Sequence, residues 1–184
     1  MRRLAAALVH YPVLDRQGAI VTTAITNLDL HDIARSSHTY GLSDFFVVHP
    51  VGAQRELAER VREHWTLGSG ARRIPDRTPA MQGVRIVVTL DDAVQALGGE
   101  VELWTTSAQS RPGALSHAGA RARLVPDGPP VLLVFGTGWG LADEIYRRAD
   151  QHLAPILSLR PDGYNHLSVR AAAAILFDRL CGER

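Results

Sequence analysis

Strand-like apolar runs recur at Leu4 to Val9, Phe45 to His49, Val84 to Thr89, Val101 to Thr105 and Val131 to Phe135. A weaker one follows at Ala154 to Leu157, and segments with helical spacing lie between the runs. Strands alternating with helices predict an α/β fold with a mostly parallel sheet flanked by helices. The N-terminal run follows two arginines but ends at Tyr11-Pro12 without reaching membrane-spanning length, so it reads as a buried first strand and not a signal. With 184 residues, 46% of them hydrophobic and 21% charged, the chain fits a single domain over residues 1–184 with a substantial core.

Helical spacing is clearest in AQRELAERVREHW (53–65). Leu57, Val61 and Trp65 repeat there every four residues, and Arg55-Glu59 and Glu56-Arg60 are spaced to pair. HLSVRAAAAILFDRL (166–180) reads as a long helix with Val169, Ala172, Ala173, Leu176 and Leu180 inward and Gly182 beyond its end. Stretches 15–23, 68–83 and 109–130 lack regular pattern, and long connections of this kind tend to be functional or mobile.

Twenty arginines, no lysine and nineteen acidic residues leave a net charge of +1, so no global field draws the chain to nucleic acid. RNA contact requires a local patch. Arg72, Arg73 and Arg77 in one pattern-poor stretch, with Arg121 and Arg123 in another, are the candidates. Cys181, the single cysteine, cannot form an internal disulfide or a cysteine zinc site, which suits a reducing cytoplasm; neither a metal site nor a membrane span is expected.

Three segments hold chemistry. FGTGWGLADE (135–144) follows the run PPVLLV. Its G-T-G-W-G is one residue short of a dinucleotide fingerprint and comes after roughly the fifth strand, which counts against a nucleotide-dependent oxidoreductase. The lack of lysine excludes a P-loop. What stays open is either a tight strand-to-helix turn or a loop whose backbone closely approaches a ligand. ITNLDLHDIARSSHTYG (25–41) reads as a helix capped by Asn27. His31, Arg35 and His38 lie on one face and Leu30, Ile33, Ala34 and Ser37 on the other. In GYNHLSVRAAAAI (163–175), Asn165 to Ser168 open the last helix and offer free backbone N–H groups.

Together with HYPV and TYG these segments resemble the SPOUT superfamily of S-adenosylmethionine-dependent RNA methyltransferases. More narrowly, residues 5 to 181 are similar to a small bacterial family within it. Asn27, Arg35 and Gly41 match its first motif, Gly136 to Leu141 the middle one, and Asn165, Ser168, Val169 and Ala171 the last. The glutamate common in the middle motif is absent, and an extra residue separates Asn165 from Ser168.

The resemblance implies a deep trefoil knot, the C-terminal helix passing through a loop of roughly residues 105 to 135. It implies S-adenosylmethionine held by three loops: Thr105, Thr106, Ser107 and Ala108; Phe135, Gly136, Thr137, Gly138, Trp139, Gly140 and Leu141; and Tyr164, Asn165, His166, Leu167, Ser168 and Val169. Backbone groups would read the adenine, with Trp139 and Leu167 as apolar cover. On the acceptor side Arg35 and Asn27 match the motif. The resemblance implies that Arg35 handles a ribose hydroxyl; a guanidinium with a pKa above about 12 is a poor base, so phosphate or oxyanion binding is the alternative role, with His31 and Asp32 as reserve bases. The implied substrate is tRNA or rRNA and the implied assembly a homodimer, built on the last helix and the 28–40 helix. The alternatives are an RNA-binding or assembly protein with a cofactor-shaped pocket but little catalysis, and a small-molecule methyltransferase.

Overall fold

A computed structural model describes residues 2–183. Six strands form one parallel sheet: β1 (Leu4–Val9), β4 (Phe45–Val48), β5 (Val84–Val87), β6 (Glu102–Thr105), β7 (Val131–Gly136) and β8 (Gln151–His152), in the spatial order β5-β4-β1-β7-β6-β8. β2 (Val13–Leu14) and β3 (Ile20–Val21) form a separate antiparallel hairpin. Because helices cover both faces, each central strand is apolar on both sides and reads as an unbroken run. Leu4, Ala6 and Leu8 of β1 enter one core, and Ala5, Ala7 and Val9 the other.

The first core is closed by α1 (Asn27–Thr39), α2 (Gly52–Thr66), α4 (Thr78–Gln82), α6 (His117–Leu124) and α8 (Val169–Cys181). The second lies under α5 (Leu90–Ala96) and α7 (Asp143–Arg148). α3 (Ser69–Arg73) and a 3-10 turn (Pro75–Arg77) link α2 to α4. No helix among the described residues is long and apolar enough to cross a membrane.

Several sequence expectations need correction. The sixth strand is Gln151–His152, and Ala154 to Leu157 is irregular, because β8 pairs with only Trp104 and Thr105 of β6. The cap of α1 is Thr26, not Asn27: the Thr26 hydroxyl accepts from the Asp29 N–H at 3.1 Å, and Asn27 is the first helical residue. α2 docks through Ala58, Val61 and Trp65, leaving Leu57 exposed, because small Ala58 lets the helix settle closest along that stripe. The expected i,i+4 pairs of α2 give way to Arg62 with Glu59, while Arg55 donates to the His49 and Pro50 carbonyls. α8 begins only at Val169, with Ser168 as its cap, and it buries Phe177 beside the expected Ala173, Leu176 and Leu180. The pattern-poor stretches hold the β2–β3 hairpin's second strand, α3, α4 and α6.

Candidate functional site

Parallel strands deliver their following loops to one edge of the sheet, where open α/β sheets bind ligands. β1 and β7 are neighbours there, and their loops are tied by the Leu14 N–H to the Gly140 carbonyl (2.9 Å), the Trp139 N–H to the Leu14 carbonyl (2.9 Å) and the Ala142 N–H to the Pro12 carbonyl (3.1 Å). Two glycines of the loop answer to this packing. A Cβ on Gly136 would lie 2.8 Å from the Leu141 nitrogen, and one on Gly138, whose φ is +59°, would lie 2.8 Å from the Leu14 carbonyl oxygen. Gly140 alone faces looser space, its nearest neighbour being the Tyr146 hydroxyl at 3.7 Å.

The three loops singled out in the sequence do meet. Asn165 Nδ2 donates to the Ala108 carbonyl at 3.4 Å, joining the first loop to the third. His166 bridges the other pair, 6.4 Å from the Trp139 ring and 5.2 Å from Tyr164. Thr106 is held by the Val134 carbonyl, which accepts from its N–H and its hydroxyl, and its own carbonyl accepts from the Tyr146 hydroxyl at 3.4 Å. The Thr105 hydroxyl lies 2.7 Å from His152 Nδ1, and the Ser107 hydroxyl accepts from the Gln109 N–H.

Within these loops side chains divide by role. Phe135, Leu141 and Val169 turn into the cores, which leaves only their backbones to a ligand. Trp139, Tyr164 and Leu167 are instead 61%, 60% and 47% exposed, an unusual state for large apolar groups placed together. A flexible, half-apolar ligand with an aromatic ring fits this edge: exposed aromatics to cover it, and loop backbone to read its polar rim.

The four acceptor-side candidates separate onto two flanks of α1. Asp32 and Arg35 line a groove of about 530 Å3 between α1 and α8, together with Ser36, Tyr40, Arg170 and Ser168. Ser168 also belongs to the third loop, so the groove reaches the edge where the three loops meet. Arg170 clasps the two helices, 3.1 Å from Asp29 and 3.4 Å from Asp32. Asn27 and His31 lie on the other flank, where the His31 ring sits 4.7 Å from that of Trp65. Burial and the nearby Arg77 lower the pKa of His31, so its ring is neutral near pH 7.

The arginine candidates also separate. Arg72 and Arg73 are exposed on α3, and Arg77 lies over Trp65. On α6, Arg123 is exposed but Arg121 donates to the Gly182 carbonyl at 2.6 Å, fastening the end of α8.

One cluster escaped sequence reasoning. His10 and His49 follow β1 and β4 directly, and their rings are 5.4 Å apart. His10 Nδ1 is 3.0 Å from the Thr23 hydroxyl, which is 2.5 Å from the Thr137 hydroxyl of the glycine loop; His49 Nε2 donates to the Thr23 carbonyl at 2.9 Å. Burial, reinforced by His49, drops the His10 pKa to about 4. The repeated pattern of an apolar run ending in His, in LVHYP and VVHP, was the available signal.

A family model described as SAM-dependent RNA methyltransferase matches residues 3–182. The chain is 45% identical over 185 residues to a tRNA (guanine-N(1)-)-methyltransferase of Nitratidesulfovibrio vulgaris, covering 99% of this chain but 43% of that relative. Among solved structures, TrmJ from Z. mobilis ZM4 superposes with a TM-score of 0.62 at 16% identity, over 100% of this chain and 70% of that one. An AdoMet-bound rRNA methyltransferase from Sinorhizobium meliloti superposes with a TM-score of 0.56 at 18% identity, over 97% and 55%. These two likenesses show a shared fold.

Proposed function

This chain belongs to the SAM-dependent RNA methyltransferase family, and we propose that it transfers a methyl group from S-adenosylmethionine to a tRNA. The choice of tRNA follows the 45% identical relative, whose named activity is that of a protein more than twice as long. The observation that carries the reading is the meeting of the three loops through Asn165 and His166, with Trp139, Tyr164 and Leu167 left open around them.

The bound sulfonium supplies the reactive methyl group, so the protein's task is alignment and the handling of one proton or developing charge. Trp139 and Leu167 cover the adenosine, and the carbonyls and N–H groups of residues 106–108 and 136–140 read its edges. Arg35, exposed in the groove that Ser168 shares with the cofactor loops, holds the acceptor phosphate or stabilises negative charge on the acceptor oxygen or nitrogen. Arg170, by tying Asp29 and Asp32 to the head of α8, keeps the acceptor helix in register with the cofactor loop. The neutral His10 with Thr23 and Thr137 fixes the glycine loop from beneath.

The trefoil knot is part of the same proposal. The Leu115 N–H donates to the His152 carbonyl and the Ala154 N–H to the Leu115 carbonyl, so the segment between β6 and β7 is strapped across the chain as it leaves β8 for α8. A homodimer is the proposed assembly. The α1–α8 groove is open, and its floor includes the small residues Ser36, Ala171 and Ala174, a surface that admits a second copy closely. A cytoplasmic setting follows from a tRNA substrate.

Calorimetry tests the cofactor site. S-adenosylmethionine and S-adenosylhomocysteine bind, NAD does not, and Trp139→Ala and Asn165→Ala each weaken binding. Unchanged binding in both variants overturns the placement.

A further inference from the structure

On the flank of α1 away from Arg35 lies an assembly of rings and cations that neither the cofactor nor the acceptor groove uses. Trp65, near the end of α2, is contacted by His31 (ring centroids 4.7 Å apart), by His64 (5.0 Å, edge-on) and by the Arg77 guanidinium (4.7 Å above the ring). A largely apolar pocket of about 220 Å3 opens beside it, lined by Asn27, Arg60, Val61, His64 and Trp65.

The local chain is shaped to hold this arrangement. The Thr78 hydroxyl donates to the Trp65 carbonyl at 2.9 Å, and residue 70 of α3 is glycine where a Cβ would lie 2.7 Å from the His64 ring and 2.8 Å from that of Trp65. Between residues 60 and 77 there are five arginines against two acidic residues. Arg62 is paired with Glu59, but among the described residues Arg60, Arg72, Arg73 and Arg77 have no carboxylate within salt-bridge distance. His31 Nε2 is buried without a hydrogen-bond partner among them.

We infer that this pocket receives one unpaired nucleotide of the RNA, its base stacked on Trp65 with an edge towards the perpendicular His64 ring, and its phosphates met by Arg60 and Arg77. An indole beside guanidinium groups serves such a ligand, since every base offers a π-face and every linkage a negative charge. Asn27, on the pocket wall, carries an amide able to bond a base edge. Arg72 and Arg73, exposed on α3, extend the positive strip for the strand beyond. The site lies apart from the acceptor groove, so it grips a nucleotide other than the methylated one. The inference rests on the RNA-methyltransferase reading.

The test is fluorescence anisotropy with a short labelled oligouridylate and an abasic strand of equal length, titrated at several salt concentrations. Trp65→Leu lowers affinity for oligouridylate about tenfold and leaves the abasic strand unchanged, as expected for loss of one stacking platform. Trp65→Phe retains most of the affinity. The double variant Arg60→Gln, Arg77→Gln weakens both strands and lowers the slope of log affinity on log salt by about 1.4, about 0.7 for each phosphate contact on a single strand. Affinity for S-adenosylmethionine, measured by calorimetry, stays at the wild-type value throughout. Should Trp65→Leu not fold, the arginine pair and Trp65→Phe carry the test unaided.

Wild-type-like binding of oligouridylate by the arginine variant, or equal losses on both strands in Trp65→Leu, overturns the pocket and leaves the methyltransferase reading standing. A wild-type protein that binds S-adenosylmethionine but neither RNA strand overturns both the pocket and the RNA reading.

Discussion

Acidification should destabilise this protein, with one imidazole, His10, making a separable contribution. His10 is 1% exposed, and its pKa falls from 6.5 to about 4 on folding, first because burial disfavours the charged ring and then because His49 stands beside it. Between those two values the unfolded chain binds the proton and the folded chain does not, so stability falls as pH drops through about 6.5 and stops falling below about 4. Each pH unit crossed well inside that window is worth about 1.4 kcal/mol, which gives a loss of about 2 kcal/mol between about pH 7.5 and about pH 5. Urea denaturation at the two pH values measures it. His10→Gln, which has no ring to titrate, should lose about 2 kcal/mol less over the same interval. A slope of the same sign should remain, since burial also lowers His31, His49 and His152. Parallel pH profiles for the two proteins, or an NMR titration of His10 near its ordinary 6.5, would refute the reasoning.

Three further outcomes follow from the geometry. Gly138→Ala and Gly41→Ala both force a side chain into positive φ (+59° and +72°), a cost of about 1–2 kcal/mol each. Gly138→Ala must lose more, because its Cβ meets the Leu14 carbonyl at 2.8 Å while that of Gly41 meets open space, and paired thermal melts show the difference. Arg170→Ala, which frees Asp29 and Asp32, should cost on the order of 1 kcal/mol in stability and weaken binding of S-adenosylmethionine, measured by calorimetry; unaltered binding removes Arg170 from the positioning role. Sedimentation should find a dimer, and a monomer at assay concentration would remove the proposed homodimer.

The strands that lie between two helical layers were legible because burial on both faces leaves an unbroken apolar signature, as in LAAALV and VLLVFG. β8 lacked one: it is two polar residues long and exists through its pairing with Trp104 and Thr105. The inward set of α1 was readable from spacing, whereas the choice between adjacent capping residues Thr26 and Asn27 depends on which side chain reaches the Asp29 N–H. α3 and α4 are five residues each, the first with a Gly and the second with a Pro, so periodicity had too little length to register.

At the site, the three loops were found from their motifs, but the packing need behind two of the glycines was not legible. Gly136 and Gly138 are demanded by Leu141 and Leu14 of the protein itself. The His10–Thr23–Thr137 link and the Trp65 platform each join residues from separate elements; the apolar runs ending in His hint at the first, and no local pattern announces the second.

The most direct test of the central claim is transfer of a labelled methyl group from S-adenosylmethionine to bulk tRNA by the purified protein, compared with Arg35→Ala. Wild type should label tRNA, and Arg35→Ala should bind the cofactor normally while transferring about 10²-fold more slowly, the cost of removing one donor to developing charge. Cofactor binding by the wild type without any label on tRNA, or an Arg35→Ala variant that labels tRNA at the wild-type rate, would contradict the account.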